Sequence, residues 1–175
     1  ALGQLSERIN VLERRLTRLN SRVEQVVDLL VKAENLARTR TLEGIAIDVS
    51  IEVRRLALSP DDPIKAAETA FATQAFAQRL LNDDDLWKWS EIRITREIGP
   101  SGAAVGEPIR TPIIDFKPTL ALPVYASALM VFFIAATIAA GSDGEVRDRF
   151  RQDFERHLAA IAIRPEWRDD GREAV

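Results

Sequence analysis

The chain opens on a seven-residue repeat. Leu2, Ile9, Leu16, Val23, Leu30 and Ala37 recur at one apolar position, and Leu5, Leu12, Leu19, Val26 and Ala33 at a second. About five unbroken heptads exceed the three or four that define a coiled coil, so residues 2–37 are expected to form one. A helix that lies on its own domain needs a wider apolar stripe than this. The seam stays narrow as far as Val23, which favours self-association. Beyond it Val27, Leu29, Val31 and Leu36 broaden the stripe, as where a coil runs into a globular bundle. Residues 42–59 carry two periods at once. Ile45, Ile47, Val49, Ile51 and Val53 alternate like a strand, while Ile45, Val49, Val53 and Leu56 line one helical face. The β-branching favours strand and continuity with the preceding segment favours helix; helix is the reading adopted.

Ser59-Pro60-Asp61-Asp62-Pro63 is a stop followed by an N-cap with proline at the first helical position. Ile64 to Leu81 is rich in alanine at helical intervals and predicts a helix, which Asn82-Asp83-Asp84-Asp85 breaks. From Trp87 to Ile98 the alternation is that of a strand, ended by Gly99-Pro100-Ser101-Gly102. A loop containing Gly and Pro then leads to Ile109–Phe116, the candidate hairpin partner. A helix without charge follows from Pro118 or Pro123 to Gly141. Glu145 to Ile163 is amphipathic, with Val146, Phe150, Phe154, Leu158 and Ile161 on one face and mixed charges opposite. Residues 165–175 read as a loose tail.

The expected fold class is therefore mainly α. An N-terminal coiled-coil helix (1–37) runs into an antiparallel helical bundle (38–164) around a central apolar helix, with a small β-like insertion over 83–117. The uncharged helix is the informative element. No Asp, Glu, Lys or Arg occurs between Pro118 and Ser142, and the stretch exceeds the ~20 residues that cross a bilayer. A helix apolar on all sides must be enclosed by protein or by lipid. Enclosure takes roughly six helical neighbours at about 8–10 Å, more than this chain supplies. Leu122, Tyr125, Leu129, Val131, Phe132, Phe133, Ile134 and Ile138 are its core or membrane-inserting residues.

Composition narrows the chemistry. The 175 residues hold 24 Lys and Arg against 27 Asp and Glu, a net charge of −3, without the basic excess expected of a nucleic-acid partner. Cysteine is absent, and there is one histidine and one tyrosine. Thiolate metal sites and cysteine nucleophiles are thereby excluded, and the usual proton-transfer side chains are nearly missing. Asp83-Asp84-Asp85 lacks the alternating spacing and central glycine of a calcium loop and reads as a solvated helix terminator. His157, with Glu155 and Asp153, has no second histidine for a metal site and no serine or cysteine pattern for a triad. Glycines 99, 102 and 106 have no following Lys-Ser/Thr and make no phosphate loop. Trp87 and Trp89 read as anchors of a hairpin face. No catalytic residue, metal or cofactor is expected, and the chain is read as non-enzymatic. The opening residues Ala1-Leu2-Gly3 show no secretory succession of basic, apolar and small residues, and the location of the protein stays open.

Two resemblances sharpen the picture. Arg8-Ile9-Asn10-Val11-Leu12-Glu13 resembles the Arg-apolar-x-x-apolar-Glu motif of short parallel trimeric coiled coils, in which the arginine stem covers the core and its head pairs with glutamate. That likeness implies a homotrimer held by Leu2, Leu5, Arg8, Ile9, Leu12, Glu13, Leu16, Leu19, Val23 and Val26. Over residues 40–160 the order of elements resembles the helical first domain of three-domain insecticidal delta-endotoxins. The matching residues are Leu42-Glu43-Gly44, the Pro60-Asp61-Asp62-Pro63 break, Leu122-Pro123-Val124-Tyr125-Ala126-Ser127-Ala128, and Val146-Arg147-Asp148-Arg149-Phe150. Met130 and Phe132 stand where that family carries a polar Asn and His, and residues 82–117 replace its short connection. The likeness implies a pore-forming bundle whose 118–141 helix enters a lipid bilayer. The alternative is a soluble trimeric scaffold or interaction module with the apolar helix permanently buried.

Overall fold

One helix, α1, runs without a break from Leu2 to Leu58. No proline interrupts it before Pro60, so the bivalent stretch at 42–59 stays helical, and Leu42, Ile45 and Val49 are buried at helical spacing. Tertiary burial along one face outweighs the β-branched propensity there. After α1 come α2 (Pro63–Asn82), a single 3-10 turn (Asp84–Trp87), strands β1 (Lys88–Ile98) and β2 (Ala104–Phe116), and helices α3 (Ala121–Ala140) and α4 (Gly144–Ala162). The computed structural model describes residues 2–162, apart from the side chains of Leu2 and Leu5. Among the described residues the fold is mainly helical, with four helices and a small open two-stranded sheet. The end of the 145–163 helix and the tail at 165–175 lie outside them.

The chain divides into two compact units. One takes in the described residues up to Ala37 together with Trp89–Asp115; the other takes in Arg38–Lys88 and the described residues from Phe116 onward. In the second unit, Asp62 accepts hydrogen bonds from the amides of Ile64 (3.0 Å) and Lys65 (3.2 Å), and Pro63 starts α2 where its missing N–H costs nothing. The buried face of α2 is small: Ala66, Thr69, Ala70, Thr73 and Ala77, closed by Leu80. Small side chains let a second helix approach closely, and α3 packs chiefly here, with α4 next. Glu52 of α1 is buried; Thr69 donates to it at 3.0 Å and Arg55 pairs with it at 2.9 Å. Gly141 ends α3 at φ +51°, and Asp143 accepts from the amides of Glu145 and Val146 to start α4.

Trp87 corrects the sequence reading. It does not anchor a hairpin face; it lies in the 3-10 turn with no exposed surface. Its indole N–H donates to the Leu80 carbonyl at 2.7 Å, its ring stacks on Phe116 at 6.3 Å, and it meets Tyr125 edge-on at 6.0 Å. The amide of Asp83 still bonds to the Arg79 carbonyl, so the acidic run turns the chain tightly back along the end of α2 and drops Trp87 against Leu80.

The hairpin is longer than the sequence implies. β2 begins at Ala104 rather than Ile109, after a turn in which Gly99 donates to Ala103 (2.9 Å) and Gly102 adopts φ +77°. Pro108, Pro112 and Gly106 at φ +84° lie within this strand. Both strands of a two-stranded sheet are edges, which is where such residues are tolerated.

Candidate association surface

In the first part of α1, the side chains that meet the hairpin lie mainly opposite the heptad seam. In the unit that holds the hairpin, Asn35 works as a substitute strand edge. Its side-chain amide donates to the Ser90 carbonyl at 2.6 Å and its oxygen accepts from the Ser90 amide at 2.9 Å. Ser90 in turn donates its hydroxyl to Glu34 at 2.7 Å. Arg110 of β2 reaches Asp28 at 2.8 Å and Glu24 at 3.7 Å. Glu24, Asp28 and Asn35 all fall at the second and sixth places of the heptad, on the far side from the apolar first and fourth places. In the other unit Arg38, Leu42, Ile45, Val49 and Glu52 are buried at helical spacing. In the hairpin's unit the contacts leave the apolar first and fourth places uncovered.

The seam is accordingly open. Ile9, Leu12, Leu16, Leu19, Val23 and Val26 are each about half exposed or more, Leu12 and Leu16 at 62%. Arg8 and Glu13 beside them are exposed, while the side chains of Leu2 and Leu5 lie outside the described residues. Ile9, Leu12, Leu16 and Leu19 border a shallow apolar depression flanked by Glu13 and Arg15, the shape into which a knob from a neighbouring helix fits. The hairpin adds to the exposed apolar surface through Ile94, Ile98, Val105, Ile109 and Ile114.

The residues named for α3 separate into two sets. Tyr125, Leu129, Val131 and Phe132 are buried, Leu122 and Ile138 are half-buried, and Phe133 and Ile134 are exposed. Phe132 meets Phe150 edge-on at 6.0 Å and Phe133 meets Phe154 at 5.0 Å, so α4 covers one flank. On the other flank an open apolar groove of about 540 Å³ runs between α1 and α3, bordered by Val49, Val53, Val124, Met130, Val131 and Ile134. Ser50 and Ser127 also border it, but both hydroxyls donate to carbonyls of their own helices.

Two polar contacts were not visible in the sequence. Arg38 binds Asp85 through two nitrogens, at 3.1 and 2.9 Å. The Arg38 hydrogen bond holds the Asp85 carboxyl below its ordinary pKa, against a smaller opposing effect of burial. The third aspartate of the run, 61% exposed, is therefore a tether to α1 as well as part of the solvated run that ends α2. His157, read as ordinary beside an apolar stripe, is 6% exposed, with Nδ1 3.1 Å from the Tyr125 hydroxyl. Burial pushes its pKa below the usual 6.5, and Asp153 offsets this in part. Well above pH 6.5 the ring is neutral in folded and unfolded chains alike, and its contribution to stability is complete. As the pH falls below 6.5 the unfolded chain takes up a proton that the folded chain resists, so stability declines. Aspartates titrate lower, which leaves pH 7 to 5 as the window for this histidine. The melting temperature should fall across that window, and His157→Gln should flatten the decline.

Among the described residues no three His, Asp or Glu side chains are grouped to hold a metal ion. Compared with known proteins, the chain matches no family model, no curated protein and no solved structure.

Proposed function

We propose that this protein is a self-associating helical scaffold, a homotrimer joined along the first half of α1, which acts by holding copies together rather than by chemistry. The observation that carries the reading is the placement of the seam. A row of large aliphatic side chains at strict heptad spacing stays in water, while the helix uses polar side chains on its opposite side to hold the hairpin. Contiguous exposed apolar surface of this extent marks an interaction site. The hairpin supports the same conclusion, because a lone two-stranded sheet is marginal in water and this one leaves five aliphatic side chains uncovered.

A second reading keeps one observation of its own. α3 spans 20 residues at a mean hydropathy of 2.1, long and apolar enough to cross a bilayer. In that reading, to which the delta-endotoxin likeness belongs, α4 lifts away and α3 inserts. The burial of Tyr125, Leu129 and Phe132 against the rest of the unit favours the scaffold, with α3 as a permanent core. Sedimentation with and without vesicles of mixed zwitterionic and anionic lipid tests both. The scaffold predicts three times the 19.5 kDa of one chain, unchanged by lipid. A single-chain mass would remove the scaffold reading, and pelleting with vesicles would establish the membrane one.

A further inference from the structure

We propose that the outer edge of β1 is a second contact between copies, separate from the seam. It pairs antiparallel with the same edge of another chain, about a two-fold axis at Thr95, and makes a sheet of order β2-β1-β1-β2. The direction of the backbone groups along β1 is fixed at both ends. Gly99 donates to the Ala103 carbonyl across the hairpin, whereas the Ser90 amide and carbonyl point away, to the Asn35 side chain. Backbone groups alternate in direction along such a strand, so Ile92, Ile94, Arg96 and Ile98 face outward. Among the described residues the sheet has no third strand to meet them. The edge of β2 is different. Pro108 and Pro112 lack an N–H, and Gly106 bends that strand at φ +84°. β1 contains neither proline nor glycine and stays a template for pairing.

Extent and charge both select a second copy as the occupant. Asn35 closes the edge at Ser90, and from Pro100 the turn leads the chain away. The open stretch is therefore 91–99, centred on Thr95, and two copies overlap fully only about that residue. With the axis there, Arg93 meets the partner's Glu97 twice and threonine meets threonine, all at the closer, non-hydrogen-bonded positions. Ile92 meets the partner's Ile98. Moving the axis to Ile94 sets Glu91 against Glu97; moving it to Arg93, Arg96 or Glu97 sets a like charge on itself. Arg93 already lies 3.5 Å from Asp115 of its own hairpin, so in the pair its guanidinium bridges two carboxylates. Ile94 and Ile98, 60% and 75% exposed in the single chain, gain cross-strand neighbours. A short strand pair buries little against the cost of immobilising two bodies. The contact is therefore populated in concentrated protein and sparse at the dilutions that report the seam.

The absence of cysteine gives a clean test on the full chain. Glu91→Cys, Arg93→Cys, Thr95→Cys and Glu97→Cys are made separately and oxidised in concentrated protein, alone and mixed. Disulfides form between Cα atoms about 4.4–6.8 Å apart, and directly opposed non-hydrogen-bonded residues lie at about 4.5 Å. Thr95→Cys alone should double in mass on a denaturing gel without reductant. Arg93→Cys mixed with Glu97→Cys should link well above either alone, and Glu91→Cys should set the background. Thr95→Cys at that background, or Arg93→Cys linking to itself as readily as to Glu97→Cys, overturns the pairing. Adding Leu16→Glu and Leu19→Glu to the Thr95→Cys chain separates this contact from the seam. Linkage that persists without the seam supports the edge pairing, and linkage lost with the seam overturns it.

Discussion

Replacing Leu16 and Leu19 together with glutamate should reduce the protein to single chains of 19.5 kDa by light scattering while leaving each chain folded. Both side chains sit at the centre of the seam, 62% and 58% exposed in the single chain. Burying a leucine in an interface is worth about 1.5–3 kcal/mol. Losing two therefore removes roughly 3–6 kcal/mol per chain, more than ~100-fold in association. A carboxylate carried into the seam would add several kcal/mol of desolvation. The protomer itself should barely respond, because exposed positions away from caps and cores shift stability by only about 0.5 kcal/mol. Far-UV circular dichroism should therefore match the parent measured at dilutions where it too dissociates. An unaltered oligomer mass would show that the seam packs on something else.

How much of this the sequence discloses depends on the range over which each signal acts. The heptad pattern, the Asp62-Pro63 cap and the amphipathic face of α4 are local, set by spacing within a few turns, and all are legible. The true start of β2 is not. Gly106, Pro108 and Pro112 argue against a strand in any local reading, and only the knowledge that β2 is an edge removes the objection. The bareness of α3 is half legible. Its lack of charge is plain, but the alanine and threonine face of α2 that receives it is a property of the pair. The open seam is a different case. Its periodicity is written in the residues at 9 to 26, yet whether they fold inward depends on which side of α1 the hairpin takes. That is decided by Asn35, Asp28 and Glu24 meeting Ser90 and Arg110 more than fifty positions away. Nothing near those residues announces the pairing.

The same reasoning locates the largest single dependence within the protomer, at a residue whose local pattern points elsewhere. Trp87→Ala should cost about 3–5 kcal/mol, the range for removing a fully buried aromatic side chain. That is a large share of the ~5–15 kcal/mol by which a domain of this kind exceeds its unfolded state. The indole touches three parts of its unit at once: the end of α2 through the Leu80 carbonyl, the end of β2 through Phe116, and α3 through Tyr125. The backbone carbonyl of the same residue also accepts from the Lys117 amide at 2.7 Å, on the approach to α3. Trp87→Phe separates packing from hydrogen bonding. It keeps a ring beside Phe116 and leaves the Leu80 carbonyl without its side-chain donor, a loss of about 1–2 kcal/mol. Urea denaturation followed in near-ultraviolet circular dichroism should rank the chains parent, Trp87→Phe, Trp87→Ala. If alanine costs no more than phenylalanine, the ring is not what ties α2, β2 and α3 together. Because Tyr125 also approaches the His157 ring, loss of the indole should loosen α4 as well and weaken the decline in stability between pH 7 and 5.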